Sequence, residues 1–218
     1  MRAVPQLSEL GRVSTHRLGG LHYLLVTHVE SGRAAKDLAV ANRVTSFVAI
    51  EALNLWSQFV RSFYLSCATR TRTSRGMRVA LKTGQASSHE AAITNAIQTL
   101  MPGKKKKSPP WHPMDEPSWR LPNVLVDLDK TMGFSNTAQI LAGLSYPSTV
   151  LADLPVFRNF FCHRSQGTAV ETVSLARSLG VSGALKPEAM LRSTPSGPVS
   201  VMGLWIADLG HMIDIICS

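Results

Sequence analysis

Cysteine is scarce. The chain of 218 residues has only Cys67, Cys162 and Cys217, an odd number set far apart, and no Cys-x-x-Cys or Cys/His ligand spacing occurs. That argues against a disulfide framework and a structural zinc site, and it fits a reduced, intracellular protein. Acidic residues are also few, 14 against 23 lysines and arginines. The nearest approach to a carboxylate cluster is the Asp-x-Asp pair Asp127 and Asp129. Alternate positions on an extended segment can share a cation, yet two carboxylates are a weak metal signal, and ordinary surface acids are expected there. Long apolar runs are missing. The stretch "MRAVPQLSELGRVSTHR" lacks the apolar centre of a signal peptide. "LHYLLV" is too short to span a bilayer and is followed by His28 and Glu30. A soluble, cytoplasmic protein with no membrane contact is expected. No internal repeat is visible, and β-like runs are few and short.

What is present is an ordinary globular balance, 44% hydrophobic and 17% charged. The length fits one domain able to bury a core without crosslinks. A formal charge of +9 favours phosphate-bearing partners: nucleic acid, nucleotides or an anionic membrane surface.

The apolar pattern is helical. Residues 1–31 form a segment of unclear role, in which "LGGLHYLLVTHV" suits either a strand or a short helix. From about Gly32 to Thr69, Val44, Phe47, Val48, Leu55, Trp56, Phe59, Phe63 and Tyr64 recur at steps of three and four, uninterrupted by Pro or Gly. This predicts one long helix, or two in close succession, with Glu51, Asn54, Gln58 and Arg61 as solvated or intrahelical polar positions. Ser88 is a candidate cap for a helix over "HEAAITNAIQTLM". Six prolines between Pro102 and Pro122 forbid regular helix and predict a long loop. Its run Lys104, Lys105, Lys106 and Lys107 reads as a solvated loop or as a nucleic-acid contact. "NVLVDLDKTMGFSNTAQILAGL" reads as a short apolar segment, then a helix from about Ser135 to Leu144. A second long helix is expected from Asp153, as cap, with Pro155 in its first turn and Gly180 at its end. A last apolar helix follows over "VSVMGLWIADLGHMIDIICS". The class is all-α, a bundle with long loops.

The chemistry-bearing stretch is "RNFFCHR", residues 158–164. Asn159 and His163 are four apart and share a helical face. Arg158 and His163 are five apart, about 140° around the axis and about 7.5 Å along it. With Arg158 in the first turn, the positive helix end adds to a candidate anion site. Imidazole exchanges a proton near neutral pH. Guanidinium grips phosphoryl oxygens in a fixed fork. RNA supplies its own 2′-OH nucleophile, so such a site needs no metal and no other cofactor. The plain alternative is a solvated polar face.

"RNFFCH" resembles the R-N-x3-H form of the R-x4-6-H signature of HEPN domains (higher eukaryotes and prokaryotes nucleotide-binding). The resemblance is specific over those six residues and architectural over about Gly32 to Gly180. It implies an HEPN-like helical bundle over residues 32–218, interrupted by a Pro/Lys-rich loop at 102–122. It further implies a metal-independent endoribonuclease that acts as a toxin or phage-defence effector, dimeric, with the motifs of two chains facing one groove. Arg158 takes the family's catalytic arginine, His163 its histidine and Asn159 the intervening polar position. Arg164 and the lysine run are then candidate RNA-backbone contacts, and Arg61 a weaker one. Some members are non-catalytic, so the alternative is a nucleotide- or protein-binding module paired with an antitoxin or a larger defence protein. A purely structural helical protein, its motif coincidental, is a third.

Overall fold

The structure, a computed structural model, describes residues 3–30, 37–103, 108–181, 186–195 and 197–218. It is mostly helical. In chain order the helices are α1 Leu7–Leu25, α2 Leu38–Thr69, α3 His89–Leu100, α4 Asn123–Met132, α5 Thr137–Leu144, α6 Val150–His163, α7 Gln166–Ser178, α8 Pro187–Arg192 and α9 Val201–Cys217. A π-helical turn, Val26–Glu30, follows α1, and a single 3-10 turn covers Pro113–Asp115. Among the described residues, extended pairing is limited to three isolated bridges, such as Leu81 with Phe134. The all-α expectation holds. The segment read as strand or short helix is part of a longer helix, 19 residues in α1, that buries Leu7, Leu10, Leu18, Leu21 and Leu25 at helical spacing.

Tertiary contacts group the chain into two compact units. One comprises Met1–Thr15, Trp56–Tyr146 and His211–Ser218, the other His16–Leu55 and Pro147–Gly210, so the boundaries fall within α1, α2 and α9. α2 is 32 residues long and contains an 18-residue window of mean hydropathy 1.2, long and apolar enough by length and composition alone to cross a membrane.

In the first unit, Trp56, Phe59, Phe63 and Tyr64 of α2 are fully buried. Their three- and four-residue steps bring Trp56 to 5.6 Å from Phe59, and Phe59 to 5.9 Å from Phe63, between ring centroids. Tyr64 stacks on Trp119 at 5.5 Å and donates to the Ala92 carbonyl at 2.7 Å. Ser88 caps α3, its hydroxyl accepting from the Ala91 N–H at 3.1 Å. The described part of the proline-rich loop is anchored: Trp119 is buried, and Trp111 donates to Thr94 at 2.9 Å. α5 meets α9 at Gly143, where any side chain would collide with Ile216.

The segment read as short and apolar is α4, whose Val124, Leu125, Leu128 and Met132 are buried on one face. Two residues apart on a helix is about 200°, so Asp127 and Asp129 cannot share a cation. Asp127 pairs with Asn123 and Lys130 at the surface. Asp129 is buried and accepts from the Phe134 N–H at 2.9 Å and the Thr137 hydroxyl at 2.7 Å. It braces the turn after α4.

In the second unit α6 packs against α7, and α7 against α8. Val150, Leu154, Phe157 and Phe161 are the buried face of α6, with the Phe157 ring edge-on to Trp205 of α9 at 5.7 Å. On α2, Val48 and Ala52 are buried, whereas Phe47 is 50% exposed and lies off the stripe assigned to it. The second long helix is in fact two. Arg164 adopts the left-handed conformation, φ 45 and ψ 37, which ends α6. Ser165 then caps α7, its hydroxyl accepting from the Thr168 N–H at 3.2 Å. At the other end α6 starts four residues earlier than expected. Thr149, not Asp153, is the N-cap, and Pro155 is the sixth helical residue, inside the helix. The C-terminal limit of α7 agrees with the expectation, Gly180 taking φ 75 just beyond it.

Candidate functional site

α6 carries the motif. Phe157 and Phe161 point into the core, which fixes the direction of the residues between them. Arg158 and Asn159 are half-buried, and His163 and Arg164 are exposed. Because α6 starts at Val150, Arg158 lies eight residues in, about 12 Å from the helix start. The field of a helix end fades within its first turn. The expected assistance to Arg158 from the helix N-terminus is therefore lost. Asn159 and His163 do share a face. Arg158 is turned about 140° from His163 on this regular helix. Among the described residues, none of Arg158, Asn159 and His163 has a side-chain hydrogen bond or ion pair. His163 is the last helical residue, and the Arg164 N–H closes the helix by donating to the Phe160 carbonyl at 2.7 Å.

Beside this end of α6 lies a groove of about 710 Å³. Asn42 and Arg43 of α2, Phe160 and Arg164, Lys186 and Glu188 line it. Arg43, Arg164 and Lys186 are exposed, and Glu188 is buried. Arg43 uses its Nε to donate to the Ala39 carbonyl at 3.3 Å, leaving its two terminal nitrogens for the groove. The Asn42 side-chain Oδ1 accepts from Arg192, which leaves the Asn42 Nδ2 as a donor. Burial lowers the pKa of the Arg192 guanidinium, and neighbouring Glu188 opposes the shift.

Arg61 belongs to the first unit, where Glu116 takes its Nε at 2.6 Å and its Nη2 at 2.7 Å. That carboxylate also accepts from the Trp119 indole at 2.8 Å. The Glu116 bond raises the Arg61 pKa against the opposing effect of burial. The bidentate pair fixes the loop to α2. Lys104, Lys105, Lys106 and Lys107 lie outside the described residues. Of the expected RNA contacts among the described residues, Arg164 lines a groove. Arg43, Lys186 and Asn42 were not legible as partners of it. They come from segments more than a hundred residues apart in sequence, and no local pattern joins them.

No family model, no curated protein and no solved structure matches this chain.

Proposed function

We propose that the chain is a metal-independent endoribonuclease of the HEPN type, a cytoplasmic toxin or defence effector that cleaves RNA by attack of its own 2′-OH. The observation that carries this reading is the state of the motif: an arginine, an asparagine and a histidine on one helix, none taken up by a side-chain partner among the described residues. Polar groups that brace a fold are normally paired. In the proposed reaction Arg158 holds the scissile phosphate and offsets the charge that builds on it. His163 removes the 2′-OH proton or protonates the leaving 5′ oxygen. Asn159, on the His163 face, orients the imidazole or the phosphate. One imidazole cannot perform both proton transfers at once. A homodimer that brings two motifs to one groove supplies the second imidazole, and it pairs the Arg158 of one chain with the His163 of the other across the 140° that separates them within a chain.

The test is incubation of the purified protein with total RNA and tRNA in excess EDTA. Products ending in a 2′,3′-cyclic phosphate and beginning with a 5′-OH are expected, with DNA of the same sequence untouched. His163→Ala and Arg158→Ala are each expected to lower the rate by about two to four orders of magnitude, with the far-UV helical signal unchanged. Asn159→Ala should cost less, since an orienting hydrogen bond is worth about 0.5–1.5 kcal/mol. An active His163→Ala variant, or 3′-OH products, would falsify the assignment.

The angular separation of Arg158 and His163 favours a second reading, a non-catalytic module that binds a nucleotide phosphate or pairs with an antitoxin. Nucleotide retention that depends on Arg158, without cleavage by any form of the protein, selects it.

A further inference from the structure

We propose that the groove between Arg43, Arg164 and Lys186 is a binding site for a nucleoside phosphate, the three cations holding the phosphate and Phe160 carrying the base. The site uses no atom of Arg158 or His163, and it stands whether or not those residues cut RNA.

Charge is the first ground. Among the described residues, three cations line the groove against the single carboxylate of Glu188, which Arg192 also neighbours. They arrive from α2, from the joint after α6 and from the segment before α8, so their convergence is tertiary and not a by-product of one basic run. Like charges gathered at a concave surface focus potential and draw in an anion.

Backbone conformation is the second. Arg164 is held at φ 45, a region that L-residues other than Asn and Asp seldom occupy. Such strain persists where the surroundings over-determine it, and it concentrates at ligand sites. Here it sets a guanidinium-bearing residue on the groove wall at a position where glycine would end the helix more comfortably.

Shape and chemistry are the third. A cavity of about 710 Å³ falls in the range of small-ligand sites. Phe160 is half-buried, edge-on to Phe161 at 5.6 Å, and lines the groove beside the cations. An aromatic face next to a cationic cluster is the pairing that single-stranded nucleic acids and nucleotides use, stacking for the base and charge for the phosphate. The Asn42 amide adds a neutral donor. Base and phosphate can come from an RNA strand or from a free nucleotide, and the experiment separates the two.

Binding is measured by fluorescence polarisation on the full chain carrying His163→Ala, so that loss of cleavage and loss of binding are read independently. The probe is a short fluorescent 2′-O-methyl RNA, with adenosine monophosphate and pyrophosphate as competitors. Arg43→Gln, Arg164→Gly and Lys186→Gln are each expected to weaken RNA binding by about tenfold. Each should also reduce the slope of log affinity against log salt by about 0.7, the loss of one single-strand phosphate contact. Phe160→Leu should weaken the RNA by several-fold and leave pyrophosphate competition unchanged. Competition by adenosine monophosphate identifies a free nucleotide as occupant. Its failure, with the variant effects intact, identifies the RNA strand. Unchanged affinity and unchanged salt slope in the Arg43 and Arg164 variants, with native helical signal, overturn the proposal.

Discussion

In the proposed nucleoside-phosphate site, Arg164 is the residue at which stability and recognition pull in opposite directions. A left-handed conformation costs an L-residue about 1 kcal/mol relative to glycine. Arg164→Gly is therefore expected to raise the urea midpoint by an amount equivalent to about 1 kcal/mol while weakening RNA binding. A variant that loses both would mean the arginine stem packs the corner instead of serving the groove. The neighbouring motif was open to sequence reasoning because Arg158, Asn159 and His163 fall within six consecutive positions. Arg43 and Lys186 were not, since only folding sets them beside Arg164. Arg61 was legible as a polar position on α2 and illegible as a pair, because Glu116 reaches it from 55 residues away.

At the scale of elements, the long stripe of α2 and the Ser88 cap of α3 were readable because period and cap chemistry agreed. The break between α6 and α7 was not, for a geometric reason. The buried residues Phe157, Phe161, Thr172 and Ala176 follow at steps of four, eleven and four, and eleven residues at about 100° each come just past three turns. The apolar face therefore stays in phase across the joint, and periodicity carries no mark of it. Ser165 was the available signal, but a serine inside an apolar pattern looks the same whether it caps a helix or faces solvent. In α1 the pair Gly19 and Gly20 obscured the helix; both are exposed there with no neighbour near a would-be Cβ. Ser165→Ala is expected to destabilise the protein by about 1 kcal/mol in urea unfolding, since it leaves the Thr168 N–H without its cap.

For the molecule as a whole, three buried acids set the response to alkali. Burial pushes the Tyr64 hydroxyl up and, helped by the Cys217 thiol, pushes Cys67 well up; burial and Asp214 push Cys217 up to about 12. In the unfolded chain cysteine releases its proton near about 8.5 and tyrosine near about 10. Between those values and the folded ones the native state holds more protons than the unfolded state, so stability falls as pH rises. The contribution is complete below about pH 8.5 and erodes upward through about pH 12. Urea midpoints taken from pH 8 to pH 11 are expected to decline steadily. Cys217→Ala should lower the midpoint at pH 8 through lost packing and make the decline shallower. An equal slope in the two proteins would mean that Cys217 does not take part.

The turn at Arg164 and Ser165 brings α7 against α6, which puts His163 at the corner between two packed helices. A group on a corner can be approached from most of a half-sphere, whereas a group in a cleft is met only along its mouth. His163 gains frequency of encounter and gives up enclosure. A proton passed from an open corner competes with bulk water at every step. In the proposed reaction, the wall that shuts that water out arrives with the substrate or with a second protein chain, and the working site exists only for as long as the encounter lasts.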